Sequence, residues 1–154
     1  MRRSDIVLRA FRNEDTEELL RIFTANTPEF FDTGEKDDFH SYLQEHGEQY
    51  LVVELQGRLV GGAGWYVNGT DKSGRITWIF FEPDSSGKGL GRAAVEHCLE
   101  ILRNEDGVEK YVVTTSQKAY GFFQKFGFEI VRTEKDHWGP GLDLYLMEKP
   151  LDKR

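Results

Sequence analysis

A chain of 154 residues with 38% hydrophobic and 31% charged residues, and with 11 Phe, 6 Tyr and 3 Trp, has the length of one domain (1–154) and the apolar content of a packed globule. A net charge of −7, from 27 acidic against 20 basic residues and without a basic run, argues against nucleic acid as a partner. The single cysteine, Cys98, leaves no internal disulfide or cysteine-rich metal site, and no stretch reaches the ~18 uninterrupted apolar residues of a membrane span. No metal, no membrane and a cytoplasmic location are therefore expected; MRRSDIVLRAF at the start is broken at Asp5 and Arg9 and is too short for a signal peptide.

In chain order, IVLRAF (6–11) is predicted as a strand. Asn13 reads as a helix N-cap with Glu14 and Asp15 in the first turn, and the helix runs through Leu19, Leu20, Ile22 and Phe23 to about Ala25, because Pro28 blocks continuation. Residues 27–38 are irregular and carry Phe30 and Phe31; a second helix covers DFHSYLQEH (38–46). QYLVVEL (49–55) and RLVGGAGWYV (58–67) form a hairpin across Gln56-Gly57, and Asn68-Gly69 marks the next turn. RITWIFFE (75–82) is almost continuously apolar, which places it centrally in a sheet covered on both faces.

Beyond it, residues 90–105 put Leu90, Ala94, Val95, Cys98, Leu99 and Leu102 on one helical face, so Cys98 reads as a buried small hydrophobe. YVVTTS (111–116) is a buried strand, and AYGFFQKF (119–126) a short helix ended by Gly127. FEIVRTEK (128–135) and LDLYLMEKP (142–150) are the last strands, separated by a DHWGPG loop (136–141). The order describes one α/β domain with a mixed sheet.

The junction SSGKGLGR (85–92) places Gly87, Gly89 and Gly91 at alternate positions between strand and helix. A P-loop would need Ser or Thr after its lysine, but Gly89 follows Lys88. A dinucleotide fingerprint would belong in the first βα turn and would want an acid where Thr114, Thr115 and Ser116 stand. One glycine would suffice for a tight turn. The remaining reading is an anion cradle, in which bare amides and the unpaired N–H groups of a starting helix face a pyrophosphate, with Lys88 and Arg92 alongside.

Ile79-x-Phe81-x-Pro83 followed by this loop and a long helix resembles the acetyl-CoA loop of the GCN5-related N-acetyltransferase (GNAT) superfamily. Residues 116–128, SQKAYGFFQKFGF, are similar to the second motif of that family, an Asn-x-x-Ala run ending in Gly-Phe. The resemblance implies a single-domain GNAT-like fold: a mixed, largely antiparallel six- to seven-stranded sheet flanked by helices, with 75–82 and 111–116 splaying apart to form the acetyl-CoA cleft. It implies that the backbone of Ile79, Phe80 and Phe81 pairs with the pantetheine arm, and that Gly87, Lys88, Gly89, Leu90, Gly91 and Arg92 hold the pyrophosphate. Ser116 stands at the family's asparagine position beside pantetheine, and Phe122 and Phe123 pack near the cofactor.

The reaction implied is direct acetyl transfer to an amine of a small molecule or peptide. The amine must lose a proton to attack, and the oxyanion needs a donor, for which the amide near Phe81 is placed. Glu82, at the cleft mouth, and His137, in the predicted loop beside Asp136, are candidate bases; His137 also reads as an exposed loop histidine. The family's tyrosine acid is replaced by Phe123. Tyr120, three residues earlier on the same helix, is the candidate substitute or a packing residue. Trp65, Tyr66 and Trp138 join Phe30 and Phe31 in an aromatic acceptor region, with Asp32, Glu35, Asp37 and Asp38 making one edge acidic and favouring a cationic amine. Members of the family often form homodimers, which stays open for this chain. The alternative, carried by Phe123 and Ser86, is a CoA-binding module of the same fold with weak or lost catalysis.

Overall fold

Two short polar turns separate three apolar runs, and the chain folds there as a meander: β2 (Tyr50–Leu55), β3 (Arg58–Asn68) and β4 (Ser73–Phe81) pair antiparallel in succession. Gln56 and Gly57 both take positive φ, 52° and 83°, the backbone that lets a two-residue turn follow the strand twist. These coordinates are a computed structural model that describes residues 5–85 and 88–151.

β1 (Ile6–Ala10) lies along β2, and the described residues complete a seven-stranded sheet in the order β1-β2-β3-β4-β5-β7-β6, with β5 at Lys110–Thr115, β6 at Glu129–Gly139 and β7 at Leu142–Pro150. Among the described strands only the β4–β5 pair is parallel. A parallel pair needs a crossover, which α3 (Leu90–Arg103) supplies. Its stripe of Leu90, Ala94, Val95, Cys98 and Leu102 is buried on one face of the sheet with Val53, Ile76, Val113 and Met147. The other face is covered by α1 (Thr16–Ala25) and α2 (Glu35–His46), whose Leu19, Ile22, Phe23, Phe39 and Leu43 pack on Tyr50, Val52 and Phe80. β4 is thus central and covered on both faces, as its continuous apolar run implied. None of the described helices is long and apolar enough to cross a membrane.

Three local expectations are corrected. Asn13 does not cap α1: a 3-10 turn over Asn13–Asp15 precedes the helix, and the Asp15 carboxylate reaches back to the Arg12 amide at 2.9 Å. The second helix starts at Glu35 rather than Asp38, since the acids in 35–38 suit a first turn. Residues 136–139 are strand rather than loop. Asp143 accepts the Asp136 amide at 2.9 Å, Asp136 accepts the Gly141 amide at 2.8 Å, and the turn shrinks to Pro140-Gly141.

The parallel pairing runs only from Ser73↔Lys110 to Ile76↔Val113. β4 continues to Phe81, while β5 follows β7 through Thr115↔Tyr145. The two strands part beyond Ile76 and leave a gap between them.

Candidate active site

The splay opens a cavity of about 820 Å³, lined by β4 from Ile76 to Phe81, the first turn of α3, residues 114–116 of the β5 end, and α4 (Tyr120–Gln124) with its flanks. Its lining divides by chemistry. Arg92, Lys118 and Lys125 belong to the α3 and α4 side; Glu29, Phe30, Phe31, Glu35, Trp78 and Trp138 belong to the connection after α1, to the start of α2, to β4 and to the end of β6.

At the α3 side, Gly89, the N-cap of the helix, takes φ +79° and makes no side-chain cap hydrogen bond. Among the described residues no side chain accepts the first amides of α3, which suits them to an anion. A Cβ on Gly89 would meet nothing within 4 Å, so this glycine is required by its backbone conformation and not by space. Gly91 has a different reason: a Cβ there would fall 2.8 Å from Cζ of Phe122. Its missing side chain admits the α4 ring. Leu90 is buried in the core and Arg92 lies 5.3 Å over the Phe126 ring; both line the cleft, whereas exposed Lys88 does not. Gly87 and Ser86 lie outside the described residues.

Ile79, Phe80 and Phe81 all line the cleft. Phe80 points into the cluster under α1 and α2, while Ile79 and Phe81 pack toward α3. This follows from a bulge. The β3–β4 register passes from Gly64↔Thr77 to Gly62↔Phe80, leaving Trp78 and Ile79 opposite Ala63. One extra residue reverses the alternation of faces: Ile76 faces α3, but beyond the bulge Ile79 and Phe81 do. Trp78 sits at φ +49°, a left-handed conformation costing a non-glycine residue roughly 1–2 kcal/mol. Its carbonyl accepts the hydroxyl of fully buried Tyr50 at 2.8 Å. Phe81 is held from the other side, its carbonyl accepting Asn26 Nδ2 at 3.0 Å.

Ser116 is buried and lines the cleft, and its Oγ accepts the Lys118 amide at 3.2 Å, shaping the entry to α4. Phe123 is buried against Phe122 and Phe128 and also lines it. Tyr120 turns away: its ring lies 4.9 Å from that of Tyr145, outside the lining. Among the described residues no tyrosine lines the cleft.

Glu82 is buried at the rim, but its carboxylate is ion-paired with Arg21, and Arg58 lies 3.9 Å away. His137 is exposed, with Nδ1 3.7 Å from Glu134 and its ring against Trp138; it does not line the cleft. Trp138 does, fixed by its Nε1–H donating to the Thr115 carbonyl at 3.0 Å. Trp65 and Tyr66 do not line the cleft. They pair with Ile76 and Arg75, on the length of β4 before the splay. Trp78 lines the cleft instead, with Phe31 stacked on it at 6.2 Å between centroids.

Glu35 is half-buried and lines the cleft, and its Oε2 accepts the Asp32 amide at 2.9 Å. Burial pushes its carboxyl above the usual range; Asp32 and Asp38 add to this, while the Asp32 amide and His137 oppose it. Cys98 stays buried beneath α3, and burial pushes its thiol up to about 12.

A splayed parallel pair opening beside the start of a helix, with cations on one side, makes a cleft suited to an elongated anionic ligand. The family model for the Acetyltransferase (GNAT) family matches residues 16–128, and the chain belongs to that family. It is 25% identical over 154 residues to an N-alpha-acetyltransferase of Sulfolobus acidocaldarius, covering 89% of this chain and 88% of that one. It is 28% identical over 144 residues to the peptidyl-lysine N-acetyltransferase YjaB of Escherichia coli K12, covering 87% and 90%. The fold matches yncA of Salmonella typhimurium, solved with its cofactor acetyl-CoA, with a TM-score of 0.73 at 20% identity over 97% of this chain and 96% of that one. The chain is thus an acyltransferase of a family that uses acetyl-CoA, and the open α3 amides beside Arg92, Lys118 and Lys125 suit the phosphates of that cosubstrate.

Proposed function

We propose that this chain, as one catalytic domain, transfers the acetyl group of acetyl-CoA to a primary amine by direct attack in a ternary complex. The observation that carries this is that one cavity is lined by both the α3 N-terminus and the acidic, aromatic side. Donor and amine can lie in it together. Gly89, Leu90, Gly91 and Arg92 give amides and charge to the pyrophosphate; Lys118 and Lys125 add charge. The exposed edge of Ile79, Phe80 and Phe81 takes the pantetheine arm, and the amide near Phe81 faces the oxyanion. Buried Cys98, with its raised pKa, is a poor nucleophile for an acetyl-enzyme. The acceptor amine belongs to a peptide or small molecule; the peptidyl and N-alpha activities named for the relatives favour a peptide.

Initial rates with acetyl-CoA varied against a lysine peptide, an N-terminal alanine peptide and spermidine test this reading. Intersecting double-reciprocal lines are expected; parallel lines with a trapped acetyl-enzyme would overturn it. A second reading, a CoA-binding module with weak catalysis, is favoured by one observation: Phe123 lines the cleft where a hydroxyl would serve, and Tyr120 stacks on Tyr145. Tight CoA binding without thiol release on any amine supports it.

A further inference from the structure

We propose that Glu35 is the catalytic base of this transfer, taking the proton from an acceptor amine that enters between Trp78 and Trp138 as an ammonium ion. This rests on the transfer reaction proposed above. Among the described residues three carboxylates line the cleft: Glu29, Glu35 and Glu82. Glu82 is already neutralised by Arg21 and Arg58, and Glu29 is exposed. Glu35 is half-buried and pairs with no cation among the described residues. One oxygen is oriented by the Asp32 amide at 2.9 Å, and among the described residues the other accepts no hydrogen bond.

The surroundings hold it firmly. A Cβ on Gly139 would collide with the Asp32 carboxylate, so the connection before α2 packs directly on the end of β6. Trp138, next to Gly139, is tied to the Thr115 carbonyl at 3.0 Å, and Trp78 is held through Tyr50. Aromatic faces favour a cation and exclude water, and a partly desolvated carboxylate attracts that cation more strongly. The titratable groups acting on Glu35 are Asp38 on its own helix, Asp32 before it and His137 on β6. The two acids and burial raise its pKa while His137 lowers it, and a raised carboxyl is a better matched base near neutrality.

The Glu35 carboxylate takes one proton from the ammonium, leaving a neutral amine. The nitrogen pair then attacks the thioester carbonyl carbon, forming the C–N bond as the π pair moves to oxygen. Collapse breaks the C–S bond with its pair on sulfur, and a second N–H proton ends on that sulfur. Glu35 returns its proton to water. Ammonium and acetyl thioester thus give amide, thiol and one proton, with no separate acid required.

Glu35→Gln in the full chain tests this with acetyl-CoA and the same three amines. Expected is a fall in kcat of about 10²–10⁴-fold near neutral pH, recovering as pH rises and free amine accumulates. Acetyl-CoA affinity by calorimetry should stay within about two-fold. Glu35→Asp, which keeps the carboxylate, should restore an intermediate rate and the pH limb of the wild type, and serves where the glutamine variant fails to fold. Wild-type turnover with an unchanged rate and pH profile in Glu35→Gln overturns the role of Glu35 alone. Absence of thiol release by the wild type on all three amines overturns the transfer reading and this proposal together.

Discussion

The hydroxyl of Tyr50, on β2, donates to the carbonyl of Trp78, on β4, at 2.8 Å across the intervening strand β3. The contact is possible because β3 carries Gly62, where a Cβ would fall 2.5 Å from the Tyr50 ring and 2.7 Å from its hydroxyl. The bond satisfies a carbonyl turned out of the ladder by the bulge, and so stabilises the backbone that presents Ile79, Phe80 and Phe81 to the cleft.

Removing that hydroxyl in Tyr50→Phe leaves the carbonyl without its donor, at a cost of about 1–3 kcal/mol. A drop of several degrees in Tm is expected by calorimetric scanning, together with a higher KM for acetyl-CoA because the bulge loosens. Gly62→Ala should destabilise by a similar amount, about 1–3 kcal/mol, since the buried ring it meets has little room to move. An unchanged KM in both variants would separate the bulge from cofactor binding.

Gly91→Ala should weaken acetyl-CoA binding by displacing Phe122, while costing little helix stability, since alanine is the better helix former by about 1 kcal/mol. Gly89→Ala differs: at φ +79° the side chain adds backbone strain of roughly 1–2 kcal/mol, so both Tm and affinity should fall. Calorimetric titration and thermal unfolding of the two variants distinguish a packing glycine from a conformational one.

Trp138→Phe keeps an aromatic wall but removes the N–H that binds the Thr115 carbonyl. The ring is then free to move, and the KM for the amine should rise several-fold, roughly the effect of losing about 1 kcal/mol of positioning, with KM for acetyl-CoA unaffected. Equal effects on both substrates would argue against Trp138 serving the acceptor side.

Two carboxylates should respond to pH with opposite sign. Arg9 donates two hydrogen bonds at 2.9 Å to Asp15 and holds its carboxyl below the usual range, against the effect of burial. Its stabilisation is present above the unfolded value of about 3.9 and lost as pH falls through the lower folded value. Asp15→Asn should therefore cost about 1–2 kcal/mol at pH 7, and progressively less in acid. Glu35 is raised instead, chiefly by burial. Its favourable contribution is present below about 4.3 and lost as pH rises through the folded value. Glu35→Gln should be more stable than the wild type at pH 7, with the gap closing toward pH 4, while turnover falls. Tm measured from pH 3 to pH 8 checks both.

Much of the architecture was legible because it depends on local chemistry. Continuous apolar runs marked β4 and β5, helical spacing marked the buried face of α3, and alternating glycines marked the loop between them. The residues that were misplaced lie where a distant partner decides. Trp65 and Tyr66 are as aromatic as Trp78, and nothing local tells which of them meets the cleft. Glu82 stands beside the cofactor motif, but Arg21 from α1 neutralises it. Tyr120 offers a hydroxyl at the right spacing, but Tyr145 from β7 turns its ring away. Residues 136–139 looked like loop because Asp, Gly and Pro favour turns, whereas the side chains of Asp136 and Asp143 hold them as strand.

The sequence by itself determined the family and the order of elements, since each rests on residues within a few positions of one another. Tertiary structure alone decided which aromatic and acidic residues meet in one cleft: Trp138 and Glu35, expected from the sequence, line it, while Trp78 replaces Trp65 and Tyr66. Glu35, Trp78 and Trp138 come from three separate elements, and the bulge at Trp78 changes which residues of β4 face each layer. Both depend on burial and on partners tens of residues away, which no local pattern encodes.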